Sequence, residues 1–151
     1  MSTLLQLVAG CCLLGAALGC GAVKRVHECQ GVIETVNVAV AGLYVEVPDA
    51  GVSPSAYTAI AEAYEQLNTR LVELDPQDSS LAKAVEGYRE VTERAAKNAR
   101  SYSEALAAPA RTKRERTDKD ANLSKLRARA QNDVTREAQA VRKLNSVCHP
   151  Q

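Results

Sequence analysis

The chain has no Phe and no Trp, and its aromatic side chains, histidine aside, are five tyrosines. This scarcity argues against an aromatic-lined ligand pocket, because binding pockets are built mainly from apolar and aromatic side chains. The net charge of +1 excludes a strong overall attraction to nucleic acid or to an anionic membrane. The length of 151 residues is that of a single domain.

Catalytic and cofactor-binding motifs are also absent. The sequence contains no Gly-x-Ser-x-Gly, no phosphate loop and no His-Glu-x-x-His. It has no Cys-x-x-Cys-His for haem attachment. A carboxylate-bridged di-metal centre in a helical bundle needs Glu-x-x-His motifs, and none occurs. We therefore predict a protein that is not an enzyme and that holds neither metal nor cofactor.

The first 23 residues carry no charged side chain, so all 19 basic and 18 acidic residues follow Val23. Within this leader, the residues from Leu4 to Leu18 are apolar apart from Gln6. A short apolar core that precedes small residues is the pattern of a secretory signal. The sequence therefore predicts that the protein is exported.

The leader ends in Ala17-Leu18-Gly19-Cys20, which resembles the lipobox of bacterial lipoproteins. The resemblance implies that 1–19 is a signal peptide and that cleavage leaves a lipid on Cys20. Residues 20–25 would then be a linker from the membrane to the folded domain. The two or three acyl chains of this modification anchor a protein stably, whereas one chain binds only marginally. Gly21 stands where lipoproteins retained in the inner membrane tend to have Asp, so the resemblance implies the outer membrane, facing the periplasm, in a host with two membranes.

Three alternatives to a lipid on Cys20 stay open. The segment Leu7-Val8-Ala9-Gly10-Cys11 is a second lipobox, although cleavage there would follow very few apolar residues. The chain could also be cleaved and secreted, or remain uncleaved as a membrane anchor, since about 20 apolar residues span a bilayer. The cysteine count favours Cys20, because removal of Cys11 and Cys12 leaves Cys29 and Cys148 as one pair.

Apolar residues at spacings of three and four predict four amphipathic helices between residues 26 and 148. The first covers about 26–47, where a short alternating stretch would also suit a strand but has no partner strand. The second begins at Ser53-Pro54 and the third at Asp75-Pro76, each a capping residue followed by proline. The fourth follows Pro109 and a polar stretch, with Thr117 as its predicted cap. Its apolar stripe consists of Leu123, Leu126, Ala130, Val134, Ala138, Val141, Leu144 and Cys148.

These helices predict an all-α fold, an up-down-up-down four-helix bundle whose third and fourth helices are the longer ones. In that topology the start of the first helix and the end of the fourth lie together. Cys29 and Cys148 occupy those two places, so we expect a disulfide between them in an oxidising compartment. The neighbouring His27 and His149 make zinc an alternative, but the spacings do not match the usual ligand loops.

A basic cluster lies between residues 111 and 129, a segment that contains eight Lys or Arg and three acidic residues. Because the third and fourth helices are long, we expect the cluster at the tip of a projecting hairpin, far from the anchor. It is interpreted either as a docking patch for an anionic partner, such as a protein or the cell wall, or as a solvated helix face. Nucleic acid is not expected as a partner, because no aromatic residues interleave with the charges. The eight residues are Arg111, Lys113, Arg114, Arg116, Lys119, Lys125, Arg127 and Arg129.

Three features of the chain after its leader resemble uncharacterised secreted helical proteins of myxobacteria. They are a Cys near the start, Asn37 in the first helix, and the ending Leu144-Asn145-Ser146-Val147-Cys148. That resemblance implies location and fold but no activity. The leading hypothesis is a non-enzymatic envelope lipoprotein whose disulfide-closed bundle displays a binding or structural surface. The alternative is a small metal- or ligand-binding sensor or carrier built in the bundle core.

Overall fold

The computed structural model describes residues 23–42 and 53–149. These residues form helices joined by short turns, with no strand among them, and this confirms the all-α prediction. No helix in these two ranges is both long and apolar enough to cross a membrane. The predictions for the leader, for Cys20 and for the first helix beyond residue 42 lie outside the described residues. The four helices are residues 23–42 (α1), Pro54–Leu74 (α2), Ser79–Ala107 (α3) and Lys113–Cys148 (α4).

The helices run up, down, up and down. Ser103 Oγ, near the end of α3, donates to the carbonyl oxygen of Pro54 at the start of α2 at 2.7 Å. Lys119 Nζ, early in α4, donates to the carbonyl oxygen of Leu106 at the end of α3 at 2.7 Å. α3 has 29 residues and α4 has 36, against 21 in α2, as the sequence predicts.

The caps of α2 and α3 show one correct and one wrong prediction. Ser53 Oγ accepts from the backbone N–H of Ala56 at 3.2 Å, with proline in the first turn, as predicted. α3, however, is capped by Asp78 rather than by Asp75. Asp78 Oδ1 accepts from the N–H groups of Ser80 and Leu81, at 3.0 and 2.9 Å. Asp75 instead ends α2 in the left-handed region with a φ of 37°, a conformation that Asp tolerates better than most side chains.

The start of α4 also differs from the prediction. Thr112 rather than Thr117 is the cap, and it forms a reciprocal capping box with Glu115. Thr112 Oγ1 accepts from the Glu115 N–H at 3.2 Å, and Glu115 Oε2 accepts from the Thr112 N–H at 3.0 Å. Two helix-end donors are thereby satisfied, so the helix begins earlier than its apolar stripe. Thr117 lies inside the helix, where its Oγ1 donates to the carbonyl oxygen of Lys113.

The apolar interior has two parts. The disulfide-side core joins all four helices through Cys29, Val32, Val36, Leu67, Leu71, Leu81, Ala84, Val85, Tyr88 and Leu144. The tip-side core, among the described residues, joins α2, α3 and α4 through Tyr102, Ala105 and Leu126, with Tyr57, Leu106 and Leu123 packed against it. The described part of α1 therefore fills the bundle near the disulfide and adds nothing to the tip-side core.

Because of this division, the predicted stripe of α4 is only partly buried. Leu126 and Leu144 are buried, but Val134 is 66% exposed, and Ala130 and Ala138 are also exposed. The polar Asp133 is buried in their place, at 6% exposure. The stripe prediction is therefore wrong in the middle of α4.

We expect removal of the disulfide, as C29A/C148A, to destabilise the fold. The bond closes a sequence separation of 119 residues, which corresponds to about 4–5 kcal/mol in the chain-entropy model. Urea unfolding followed by circular dichroism should show a lower midpoint for the double variant. Wild-type protein in reductant is the control, and its midpoint should fall to that of the variant. The midpoint of the variant itself should not change when reductant is added. Equal midpoints for oxidised and reduced wild-type protein would contradict this expectation.

Candidate functional site

The two core cysteines are bonded to each other. Cys29 and Cys148 have an S–S distance of 2.12 Å and Cα atoms 5.6 Å apart, so the pairing predicted from the sequence is present. Both sulfurs are used in this bond, and neither is a thiolate that could bind zinc beside His27 and His149. Among the described residues, no group of three or more His, Cys, Asp or Glu side chains could hold a metal ion.

Polar contacts reinforce the end of the bundle that carries the disulfide. Arg25 Nη2 donates to the carbonyl oxygen of Val147 at 2.7 Å, and Arg25 Nη1 lies 3.7 Å from Asp78 Oδ2. Glu28 Oε2 accepts from the Asp78 N–H at 3.1 Å. α1 is therefore tied to the start of α3 and to the end of α4. Cys20 itself lies outside the described residues.

The basic tip, defined as the eight Lys and Arg between residues 111 and 129, lies at the opposite end of the bundle. α4 has 36 residues from Lys113 to Cys148, which places the two ends about 50 Å apart. Two of the eight side chains have structural partners. Lys119 Nζ donates to the carbonyl oxygens of Leu106 and Ala108, both at 2.7 Å, and thereby caps α3. Arg127 Nη2 donates to Tyr102 Oη at 3.3 Å.

The other six side chains of the basic tip are exposed: Arg111, Lys113, Arg114, Arg116, Lys125 and Arg129. Arg114 forms an ion pair with Asp118 at 4.0 Å on the next turn of the helix. A surface pair of this kind is weak in water, so it leaves the charge of the tip available. The exposure of these six side chains fits both interpretations of the cluster, a docking patch for an anionic partner and a solvated helix face.

A groove between α2, α3 and α4 is the site that sequence analysis missed. It has a volume of about 220 Å³ and lies where the described part of α1 does not contribute. Its apolar and aromatic lining consists of Tyr57, Ile60, Tyr64, Ala95, Ala99, Tyr102, Leu126, Ala130 and Val134. Three of the five tyrosines therefore converge here, and the expectation that no aromatic-lined pocket would exist is wrong. The sequence feature that could have predicted this groove is the spacing of Tyr57, Ile60 and Tyr64, which places all three side chains on one face of α2.

The groove also contains two carboxylates, one helical turn apart on α4. Glu137 accepts hydrogen bonds from two phenols, Tyr64 at 2.9 Å and Tyr88 at 3.2 Å. Asp133 accepts from the side-chain amide of Asn98 and lies 3.4 Å from Arg94 Nε. Burial, and then the charge of Glu137, raise the pKa of Tyr88 far above its usual value. Tyr88 therefore stays a hydrogen-bond donor to Glu137 at any physiological pH.

Two aromatic rings in contact lie at the end of the groove nearer the basic tip. The ring centroids of Tyr57 and Tyr102 are 4.3 Å apart, with an angle of 36° between the planes. Burial, followed by the neighbouring Tyr102, raises the pKa of Tyr57. The hydrogen bond to Tyr102 raises the pKa of Arg127. The groove thus has an aromatic end beside Arg127 and a carboxylate end at Glu137.

Tyr88 should make the fold sensitive to alkali. Its folded pKa lies above the unfolded value of about 10, so its contribution to stability is complete below that pH and is lost as the pH rises. The free energy of unfolding of wild-type protein should fall more steeply above pH 10 than that of Y88F, by up to about 1.4 kcal/mol per pH unit. Urea titrations of both proteins between pH 9 and 11.5 measure this difference. Parallel pH profiles would show that Tyr88 ionises as readily in the fold as in the unfolded chain.

The chain was compared with protein families, with curated proteins and with solved structures. No family model matches it, and no curated protein or solved structure is detectably similar to it. The disulfide, the basic tip and the groove are therefore the observations on which a function can be proposed.

Proposed function

We propose that the protein is an exported, non-enzymatic lipoprotein, anchored through Cys20 and acting as a binding module of the cell envelope. The observation that carries the proposal is the Cys29–Cys148 bond, because structural disulfides persist in oxidising compartments outside the cytoplasm. The charge-free leader and its lipobox-like end at Cys20 support export by the same route. In a host with two membranes, the proposed position is the outer membrane, facing the periplasm.

The two ends of the bundle suit this role. Cys20 lies nine residues before Cys29, so a lipid on Cys20 would hold the disulfide end near the membrane. The basic tip would then extend about 50 Å away from it. Its exposed cations suit an anionic partner such as the carboxylates of the cell wall or an acidic protein surface. The bundle in this proposal is a rigid spacer that presents the tip.

The lipid anchor can be tested by intact mass spectrometry of protein purified from membranes of its native host. The expected mass is that of residues 20–151 plus acyl groups, with an increase of about 2 Da on reduction of one disulfide. C20S should abolish the lipid, whereas C11S, the matched control, should leave it in place. An unmodified full-length mass, or loss of the lipid in C11S alone, would contradict the proposal.

The role of the basic tip can be tested by sedimentation of the protein with purified cell-wall sacculi. Replacing Arg111, Lys113, Arg114 and Arg116 with Gln should abolish most binding, and wild-type binding should fall as salt increases, because exposed charges are screened. The matched control replaces four exposed basic residues elsewhere with Gln, at Arg70, Lys83, Arg142 and Lys143. Equal loss in both variants would show that only net charge matters, and the tip would lose its assigned role.

A second candidate function is a carrier of a small ligand, and the groove between α2, α3 and α4 favours it. A pure scaffold needs only packed Leu, Val and Ala between its helices. The groove instead collects three tyrosines and two carboxylates around about 220 Å³. This arrangement is typical of a ligand site, in which apolar walls surround a few placed polar groups.

A further inference from the structure

We propose that the groove binds a small organic cation, a free amine with a compact apolar body, with its ammonium group at Glu137. The inference deepens the carrier function proposed above and does not depend on a lipid at Cys20. It rests on three properties of the groove: an acid without a counter-cation, aromatic walls, and size.

The charge of Glu137 lacks a basic partner. Tyr64 and Tyr88 donate one hydrogen bond each to its two carboxylate oxygens, but neutral phenols leave the negative charge in place. Every Lys, Arg and His of the chain lies within residues 23–42 and 53–149. None of the ion pairs among these described residues includes Glu137.

The other charges of the groove do not neutralise Glu137. The nearby Asp133 is itself an acid, and Arg94 at 3.4 Å is its partner. Arg127 is ten residues before Glu137 on the same helix, about 15 Å along the axis, and its guanidinium donates to Tyr102. That separation is far greater than the distance of about 4 Å that defines an ion pair. A cationic ligand would therefore supply the charge that the protein does not.

The walls favour a cation over an anion or a neutral molecule. Tyrosine rings attract cations through the negative potential of their faces, and Tyr64, which lines the groove, lies beside Glu137 and donates a hydrogen bond to it. Ile60, Leu126 and Val134 offer contacts to an apolar body. An anion would be repelled by Glu137, and a neutral molecule would leave that carboxylate without a charge partner.

The size of the groove sets the size of the amine. Its volume of about 220 Å³ is below the 300–1,000 Å³ of most sites for drug-sized ligands. An apolar cavity of about 150 Å³ holds a benzene ring. A six-membered ring with an aminomethyl group is therefore a suitable probe.

The test measures binding of cyclohexylmethylamine to the full chain in dodecyl maltoside micelles. Two matched probes of the same shape, cyclohexylmethanol and cyclohexanecarboxylate, separate charge from shape. Because the chain has no Trp and five Tyr, its intrinsic fluorescence comes from tyrosine and reports on the groove, while isothermal titration calorimetry gives the affinity. We expect saturable binding of the amine, at least about tenfold tighter than that of the alcohol, and none of the carboxylate.

Three variants locate the binding. E137Q removes the charge and should weaken amine binding about tenfold or more, and the remaining affinity should match that of the alcohol. E90Q makes the same change at an exposed glutamate of α3 outside the groove and should change nothing. A130L fills the groove from the exposed side of α4 and should abolish binding of both probes. Circular dichroism checks that each variant keeps its helical content.

Each alternative result overturns the inference in a distinguishable way. Equal affinity for the amine and the alcohol would retain a ligand carrier but remove the selectivity for cations. Equal weakening by E137Q and E90Q would show that only net charge matters. No binding of any probe would overturn the carrier as well.

Discussion

The Cys29–Cys148 bond fixes the register on which the other features of the bundle depend. It holds the described part of α1 against the end of α4, and the contacts of Arg25 and Glu28 attach the same end to α3. The side chains of α1 then fill one half of the space beside α3 and α4. Among the described residues, the other half is formed by α2, α3 and α4, and the groove lies there. One covalent constraint thus separates a packed end from an end with a ligand-sized groove.

The polar groups inside the bundle differ in how they are satisfied. Between α2 and α3, the hydroxyl of buried Thr92 lies 2.9 Å from Asn68 Oδ1 and within hydrogen-bond distance of backbone carbonyl oxygens of its own helix. In the groove, Glu137 has neutral donors and no basic partner among the described residues. Glu137 is half-buried, and it accepts hydrogen bonds from Tyr64 and from the fully buried Tyr88. Its negative charge without a basic partner, at one end of an apolar groove, is the observation on which the proposed amine site rests.

Local sequence patterns predicted much of the fold. The apolar spacing identified four helices, Ser53-Pro54 identified the start of α2, and the two cysteines on core stripes identified the disulfide. The starts of α3 and α4 were predicted less well, because two polar residues near each start could serve as the cap. Asp75 and Asp78 both suit a cap, and so do Thr112 and Thr117, and the choice depends on which backbone donors each side chain reaches. The lipid on Cys20 stays a prediction, because it falls outside the described residues.

The sequence by itself therefore determined the helical class, the order of the helices and the cysteine pair, because these follow from periodicity and from spacing along one chain. Only the tertiary structure decided that Val134 is exposed while Asp133 is buried, and that Lys119 caps α3 instead of extending from the basic tip. Only the tertiary structure brought Tyr57, Tyr64, Tyr102 and Glu137 into one groove. These outcomes depend on which helix lies beside each residue. An amphipathic pattern predicts that one face of a helix is buried, but it does not identify the helix that packs against that face.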